Sequence, residues 1–312
     1  MSGRTAPAPR GGEAGGRLAA GARALLAAAM MTAVGCASGG DIDLSQLASS
    51  SDQVIWEAGQ KAMEKKQYDA ARQYFRRIID GFPQSEYGPA ARLAIGDSFI
   101  KEGGTGNYLQ AVAAHREFLT VYPSHPRSDY AQFQVAEAYF RQRNGPDRDQ
   151  TDTKYALEEY ERLLDLYPAT THAETARERI RQLRQSLARA EFMAGYFYQR
   201  TREACRSAIP RYEGILADYP DYERLDEVLY RLGECMLTVG RAGEAIPHLA
   251  RIPLEYPQSE YAKDARGLHA EASALPGAAP LPSPPPAPEA PADGSAAPSN
   301  EPGPAPSPSP SP

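Results

Sequence analysis

The residues of this chain that could do chemistry are few and scattered. Its five histidines, His115, His125, His172, His248 and His269, have no partner at ligand spacing, so they predict no metal site. Gly103-Gly104-Thr105-Gly106 has the glycine density of a phosphate-cradling loop. It lacks the Gly-Lys-Ser/Thr ending and reads instead as a turn between helices. There is no Gly-x-Ser-x-Gly elbow, and neither Cys205 nor Cys235 lies in a nucleophile signature. Carboxylates are numerous, but they stand beside Arg and Lys on amphipathic stretches, where i,i+4 pairing on a solvated face is the default. The expectation is a chain without catalytic residues or cofactor, one that works by binding.

One position does invite chemistry, by modification. Arg4, Arg10, Arg17 and Arg23 precede an apolar run from Ala24 to Val34, which is too short to span a bilayer and has the order of an export signal. The run ends in Ala33-Val34-Gly35-Cys36, which resembles a bacterial lipobox, with Ala33 where leucine is usual. On that reading residues 1–35 are a signal peptide and Cys36 is the lipidated first residue of the mature protein. Several acyl chains would anchor it stably. With Ala37 rather than Asp next, the expected location is the periplasmic face of the outer membrane. Residues 36–51 form a polar tether reaching about 50 Å at ~3.3 Å per residue.

Export also places Cys205 and Cys235 in an oxidising compartment. Sequence does not fix their separation, and we read them as small buried thiols, with a disulfide as the alternative. Removing residues 1–35 takes away four Arg and one Glu, so the net charge moves from −6 to 30 − 39 = −9. An acidic chain argues against nucleic acid as a partner.

The elements that must hold any binding surface announce themselves by spacing. Five times an alanine is followed twelve residues later by a proline: Ala71 and Pro83, Ala111 and Pro123, Ala156 and Pro168, Ala208 and Pro220, Ala245 and Pro257. Each proline follows an aromatic, and a small residue precedes each alanine: Gly59, Gly96, Ala136, Gly195 and Gly233. This resembles the tetratricopeptide repeat, a pair of antiparallel helices A and B. The small residue lets helix B approach, and the proline ends it. Phe75, Tyr160 and Tyr212 supply the bulky position of helix B; the second repeat departs, with His115 there. Phe99, Tyr139, Tyr198 and Met236 supply that of helix A.

The predicted fold is therefore all-α, a solenoid of five helix pairs over residues 52–273, with a capping helix from Glu260 to Ala272. Residues 103–107 read as an insertion between the helices of the second repeat, and residues around 145–150 as a longer one in the third. The stretch from His172 to Ala190 reads as helix running on into the fourth repeat. From Pro276 onward lie 15 of the 28 prolines, so residues 274–312 are read as a disordered tail.

In such a solenoid one side of each helix A lines a concave groove. Counting from the small residue gives Gln53, Trp56, Gln60 and Met63, then Leu93, Asp97 and Ile100, then Tyr130, Phe133, Glu137 and Phe140. Mixed aromatic, apolar and polar, this stripe suits an extended peptide segment. The competing reading makes many of these residues inter-repeat core, with about half accessible. Trp56 is either a groove anchor or an N-terminal plug.

Taken together, the lipobox, the five repeats, the insertion Pro146-Asp147-Arg148-Asp149-Gln150-Thr151 and the helix Leu187–Tyr198 resemble the BamD family of outer-membrane β-barrel assembly lipoproteins over about residues 52–260. The resemblance implies a non-catalytic scaffold. Its N-terminal repeats would recognise the targeting signal of unfolded outer-membrane precursors, and its C-terminal repeats would dock BamA alongside the other lipoproteins of the complex. It also implies that Arg211, in Ile209-Pro210-Arg211-Tyr212, pairs with an acid on BamA. Asp147, Arg148 and Asp149 are expected to lock their loop onto neighbouring helices. The other architecture considered is a repeat lipoprotein linked to peptidoglycan or the Tol–Pal system. The absence of heptads before Asp52 and the presence of Cys36 count against it.

Overall fold

The computed structural model describes residues 50–276, and the elements in that span are all α-helices. In chain order they are α1 (Asp52–Glu64), α2 (Tyr68–Gly81), α3 (Gly88–Glu102), α4 (Thr105–Val121), α5 (Ser128–Gln142) and α6 (Thr151–Leu166). There follow α7 (Ala173–Arg200), α8 (Cys205–Asp218), α9 (Leu225–Thr238), α10 (Ala242–Glu255) and α11 (Ala262–Ala274). Each packs chiefly on its neighbours in sequence, as in a quasi-one-dimensional array. Short turns make the pairs antiparallel, giving five helix pairs capped by α11. Export signal, Cys36, most of the tether and most of the Pro-rich tail lie outside the described residues.

The spacing has a steric cause. A Cβ on Gly59 would stand 2.5 Å from the Phe75 ring, and one on Gly195 would stand 2.7 Å from the Tyr212 ring. The same holds for Gly96 against His115 and Gly233 against Leu249, each at 2.5 Å. Helix B thus lays its bulky residue on the bare backbone of helix A. Phe75, Tyr160 and Tyr212 are completely buried there. Each helix B then ends identically. The aromatic before the proline donates its N–H four residues back, Phe82 to the Ile78 carbonyl at 3.0 Å and Tyr219 to that of Ile215 at 2.9 Å. The following proline forbids continuation.

A second recurrent lock fixes how one pair follows the next. The hydroxyls of Ser85, Thr170 and Ser259 lie in the turns after three of the prolines. They donate to Asp52, Asp129 and Asp226 at 2.7, 2.8 and 2.5 Å. These aspartates open or lie close to the start of helix A of the same pair, so each lock ties the turn that leaves a pair back to where that pair begins and thereby sets the direction in which the chain departs.

Several expectations are corrected. Gly103 and Gly104, at φ 76° and 90°, make the whole turn of the second repeat, and Thr105-Gly106-Asn107 lengthen α4 instead of forming an insertion. The third-repeat insertion is the loop at 143–150. It is not held by an Asp-Arg-Asp network: Asp149 accepts from Thr151, through the backbone N–H at 3.0 Å and Oγ1 at 3.1 Å. Gln150 instead pins the loop, its Nε2 donating to the carbonyls of Gly145 at 2.7 Å and Arg148 at 2.9 Å. Cys205 and Cys235 are not separate thiols. Their Cα atoms lie 4.9 Å apart and the sulfurs are joined, stapling the start of α8 to α9. The long helix expected before the fourth repeat is present as the 28-residue α7.

Candidate functional site

The predicted groove stripe divides in two. Met63, Leu93, Ile100, Glu137 and Phe140 are buried and belong to the core between repeats, which corrects their assignment as groove lining. Gln53 is exposed, and Trp56, Gln60, Asp97, Tyr130 and Phe133 are half-buried. Trp56 packs between Phe75 and Tyr87, with ring centroids at 5.3 and 5.6 Å, so it plugs the N-terminal core while keeping one edge open. Gln53 donates to Glu57 at 3.0 Å.

In the second and third repeats the stripe carries a polar cluster. Tyr130 donates its hydroxyl to Asp97 Oδ1 at 2.9 Å. Nε2 of His115 lies 3.5 Å from the same oxygen, and neither imidazole nitrogen has a hydrogen-bond partner. His115 is fully buried where other repeats carry a hydrocarbon or phenol. Burial, reinforced by the Arg127 charge, pulls its pKa down to about 3. Burial pushes Asp97 up to about 6 against the opposing Tyr130 bond. The cluster is therefore a neutral imidazole beside a carboxyl that titrates near neutrality.

Glu137 is recessed and held by three groups. Tyr160 donates to its Oε1 at 2.6 Å, Arg179 Nε reaches that oxygen at 3.3 Å, and Arg141 Nε stands 3.6 Å from Oε2. Burial and the Glu137 contact push the Tyr160 phenol upward. Phe133 is sandwiched by His172, centroids 4.3 Å apart and nearly parallel. Sequence reading missed His172 and Arg179. His172 is a lone histidine in a turn and could not be placed, and Arg179 belongs to the helix that crosses from the third repeat into the fourth. The Glu137–Arg141 spacing of four was the legible part.

Arg211 lies on the other candidate surface. It projects from α8 into a cleft of about 490 Å³ walled by Lys154 and Gln150, Glu191 of α7, and Pro210 and Gly214 of α8. Its Nη1 donates to Glu191 Oε2 at 2.8 Å, and about half of the side chain is exposed. That bond is the main reason its pKa is raised. One edge of the guanidinium is anchored and the rest of the fork faces the cleft. A Cβ on Gly214 would meet nothing within 4 Å, so the cleft floor is open there.

Among the described residues no group of His, Cys, Asp or Glu is arranged to hold a metal ion, and no helix is long and apolar enough to cross a membrane. The fold and its surfaces define a helical-repeat solenoid of the tetratricopeptide type, with a half-buried stripe of aromatic and polar residues on its first repeats and a charged cleft at Arg211.

The family follows from comparison. A sequence profile of the YfiO outer membrane lipoproteins matches residues 48–242, and the chain belongs to that family. It is 27% identical over 230 residues to the outer membrane protein assembly factor BamD of Caulobacter vibrioides, covering 73% of this chain and 74% of that protein. The Rickettsia prowazekii BamD is 26% identical over 207 residues, covering 66% and 81% of the two chains. That of Haemophilus influenzae is 26% identical over 227 residues, covering 70% and 83%. Among solved structures, the TPR2AB domain of yeast Sti1 has 13% identity and a TM-score of 0.38 over 71% of this chain and 98% of that one. That likeness is too loose to add to the fold.

Proposed function

We propose that this protein is a non-catalytic assembly factor for outer-membrane proteins, anchored at the periplasmic face of the outer membrane through Cys36. Its C-terminal repeats dock BamA, with Arg211 in the cleft between α7 and α8 as the charged anchor. Its N-terminal repeats take extended segments of unfolded outer-membrane precursors along the half-buried stripe from Gln53 to Phe133. Other lipoproteins of the complex complete the assembly.

The observation that carries the reading is the family match over residues 48–242, which spans all but the last helices. Arg211 supports it independently. A guanidinium half-exposed in a cleft, fixed at one nitrogen by Glu191, has its remaining donors oriented before a partner arrives. In the groove, Trp56, Tyr130 and Phe133 offer aromatic faces beside the Asp97 cluster, a surface for alternating apolar and polar side chains.

The test is co-purification. Detergent-solubilised envelopes containing the tagged full-length protein should yield BamA in stoichiometric amount. Retention of other lipoproteins without BamA would contradict the assignment and favour an envelope-linking role.

A further inference from the structure

The register that gives the stripe of the first three repeats runs on into the last two. Three before and one after the small position stand Phe192 and Tyr196 on α7, and Tyr230 and Glu234 on α9. Tyr196, Tyr230 and Tyr261, the last capping the start of α11, all meet on one guanidinium. The Arg231 head group lies 5.6, 5.4 and 5.5 Å from their ring centroids. Arg231 is itself fixed, its Nη1 donating to Glu234 at 2.9 Å. Tyr230 and Tyr261 stack at 4.9 Å, and Tyr196 rests on the buried Phe192 ring at 6.0 Å.

Tyr196 is 41% exposed, and Tyr230 and Tyr261 are half-buried, so the row is held from beneath while part of each ring reaches solvent. The Tyr196 hydroxyl makes no hydrogen bond among the described residues. None of these residues lines the Arg211 cleft. Charge around the row is nearly balanced. Arg200, Arg224 and Arg231 are matched by Glu227 and Glu234, and the charges of Asp264 and Glu260 act on Tyr230 and Tyr261. What the face offers is therefore aromatic rings and phenol donors. That chemistry fits a polyproline II segment, whose proline rings pack on aromatics and whose carbonyls have no internal partner.

The chain carries such a segment within reach. Pro282, Pro285, Pro288 and Pro291 stand three apart, and a polyproline II helix has three residues per turn. The four rings would then line one edge, about 9 Å from one to the next. Between Pro282 and Pro291 the one charged residue is Glu289, which suits a face balanced in charge. Geometry places the first proline well. α11 has 13 residues, so its end lies ~20 Å from Tyr261 at its start. The seven steps from Leu275 to Pro282 reach at most ~23 Å, one helix length back, and Gly277 permits the reversal. A tether this short gives an effective concentration on the order of millimolar, so weak ring-on-ring contacts suffice.

We infer that Tyr196, Tyr230 and Tyr261, gathered on Arg231, form a docking face for the chain's own segment 282–291, which folds back along α11 as a polyproline II helix.

The test uses the full-length protein with the photo-crosslinking residue benzoylphenylalanine in place of Ala287. After irradiation, mass spectrometry should find cross-links within one molecule, concentrated on the peptides that carry Tyr196, Tyr230 and Tyr261. Tyr196→Ala, which removes an exposed ring, should lower their yield at least about threefold with circular dichroism unchanged. Two double variants separate ring register from general proline content. Pro285→Ala with Pro288→Ala should lower the yield at least about fivefold, whereas Pro284→Ala with Pro286→Ala should leave it within about twofold. Raising the salt to about 0.5 M should change little, because the contact is aromatic. Cross-links scattered over the solenoid, or formed only between molecules, would overturn the inference. So would equal losses in the two double variants, or loss of the cross-links in salt, which would mean attachment through Glu289.

Discussion

His115→Phe isolates one energetic term of this fold with unusual clarity. In the wild type the imidazole is fully buried with both nitrogens unpaired, at the position where other repeats hold Phe75, Tyr160, Tyr212 and Leu249. Its pKa falls from 6.5 to about 3 on folding. The folded state therefore refuses a proton that the unfolded chain accepts below pH 6.5. Stability is lost as pH falls through that unfolded value, and the loss continues down to the folded one. Linkage between these two values makes the wild type about 2 kcal/mol less stable at pH 5 than at pH 7.5 through His115 alone. Asp97 acts in the opposite direction. Its folded pKa of about 6 lies above the ordinary 3.8, so protonation favours the folded state as pH falls through 6. Because Asp97 remains in both proteins, the comparison between them isolates the histidine. Urea denaturation at pH 7.5 and pH 5.0 should show the stability advantage of His115→Phe growing by about 2 kcal/mol across that interval. The same growth should appear in an Asp97→Asn background. Two curves that stay parallel within about 0.5 kcal/mol would refute the buried, neutral imidazole.

Two further perturbations probe the repeat geometry. Gly195→Ala places a methyl 2.7 Å from the Tyr212 ring, and thermal or chemical denaturation should register a loss of about 1–3 kcal/mol from the overpacked contact. Gly214→Ala meets open space and should instead be neutral or slightly stabilising. Reducing the Cys205–Cys235 bond reopens a loop of sequence separation 30, and loop entropy sets the expected loss at roughly 3.6 kcal/mol. Denaturation with and without dithiothreitol measures it, and the Cys235→Ala variant should be insensitive to the reductant.

The repeat frame was legible because it is written in residue types with steric meaning. A glycine opposite an aromatic and an aromatic before a proline each demand one backbone arrangement, so five spacings specify five helix pairs. The long α7 was legible for the same reason, through Ile180, Leu183 and Leu187 at helical intervals. The groove was only half legible. Counting along a helix gives a face, but whether that face is open depends on the neighbouring helix. Leu93 and Ile100 proved to be covered while Asp97 between them is not. The disulfide could not be resolved, because a pair of cysteines thirty residues apart in adjacent helices is compatible with many Cα separations. The turn locks from Ser85 and Thr170 escaped notice because a serine or threonine after proline is ordinary, and its acceptor stands more than thirty residues away in sequence. The insertion loop misled in another way. Asp147, Arg148 and Asp149 look like a network by charge, yet the uncharged Gln150 holds the backbone.

The central claim, that this scaffold docks BamA through the cleft around Arg211, is tested most directly by titrating the purified protein against the purified periplasmic region of BamA in a calorimeter. Wild type should bind, and Arg211→Glu should lose at least about tenfold in affinity, some 1.4 kcal/mol, with helical content unchanged. An Arg211→Glu protein that binds as tightly as wild type would contradict it.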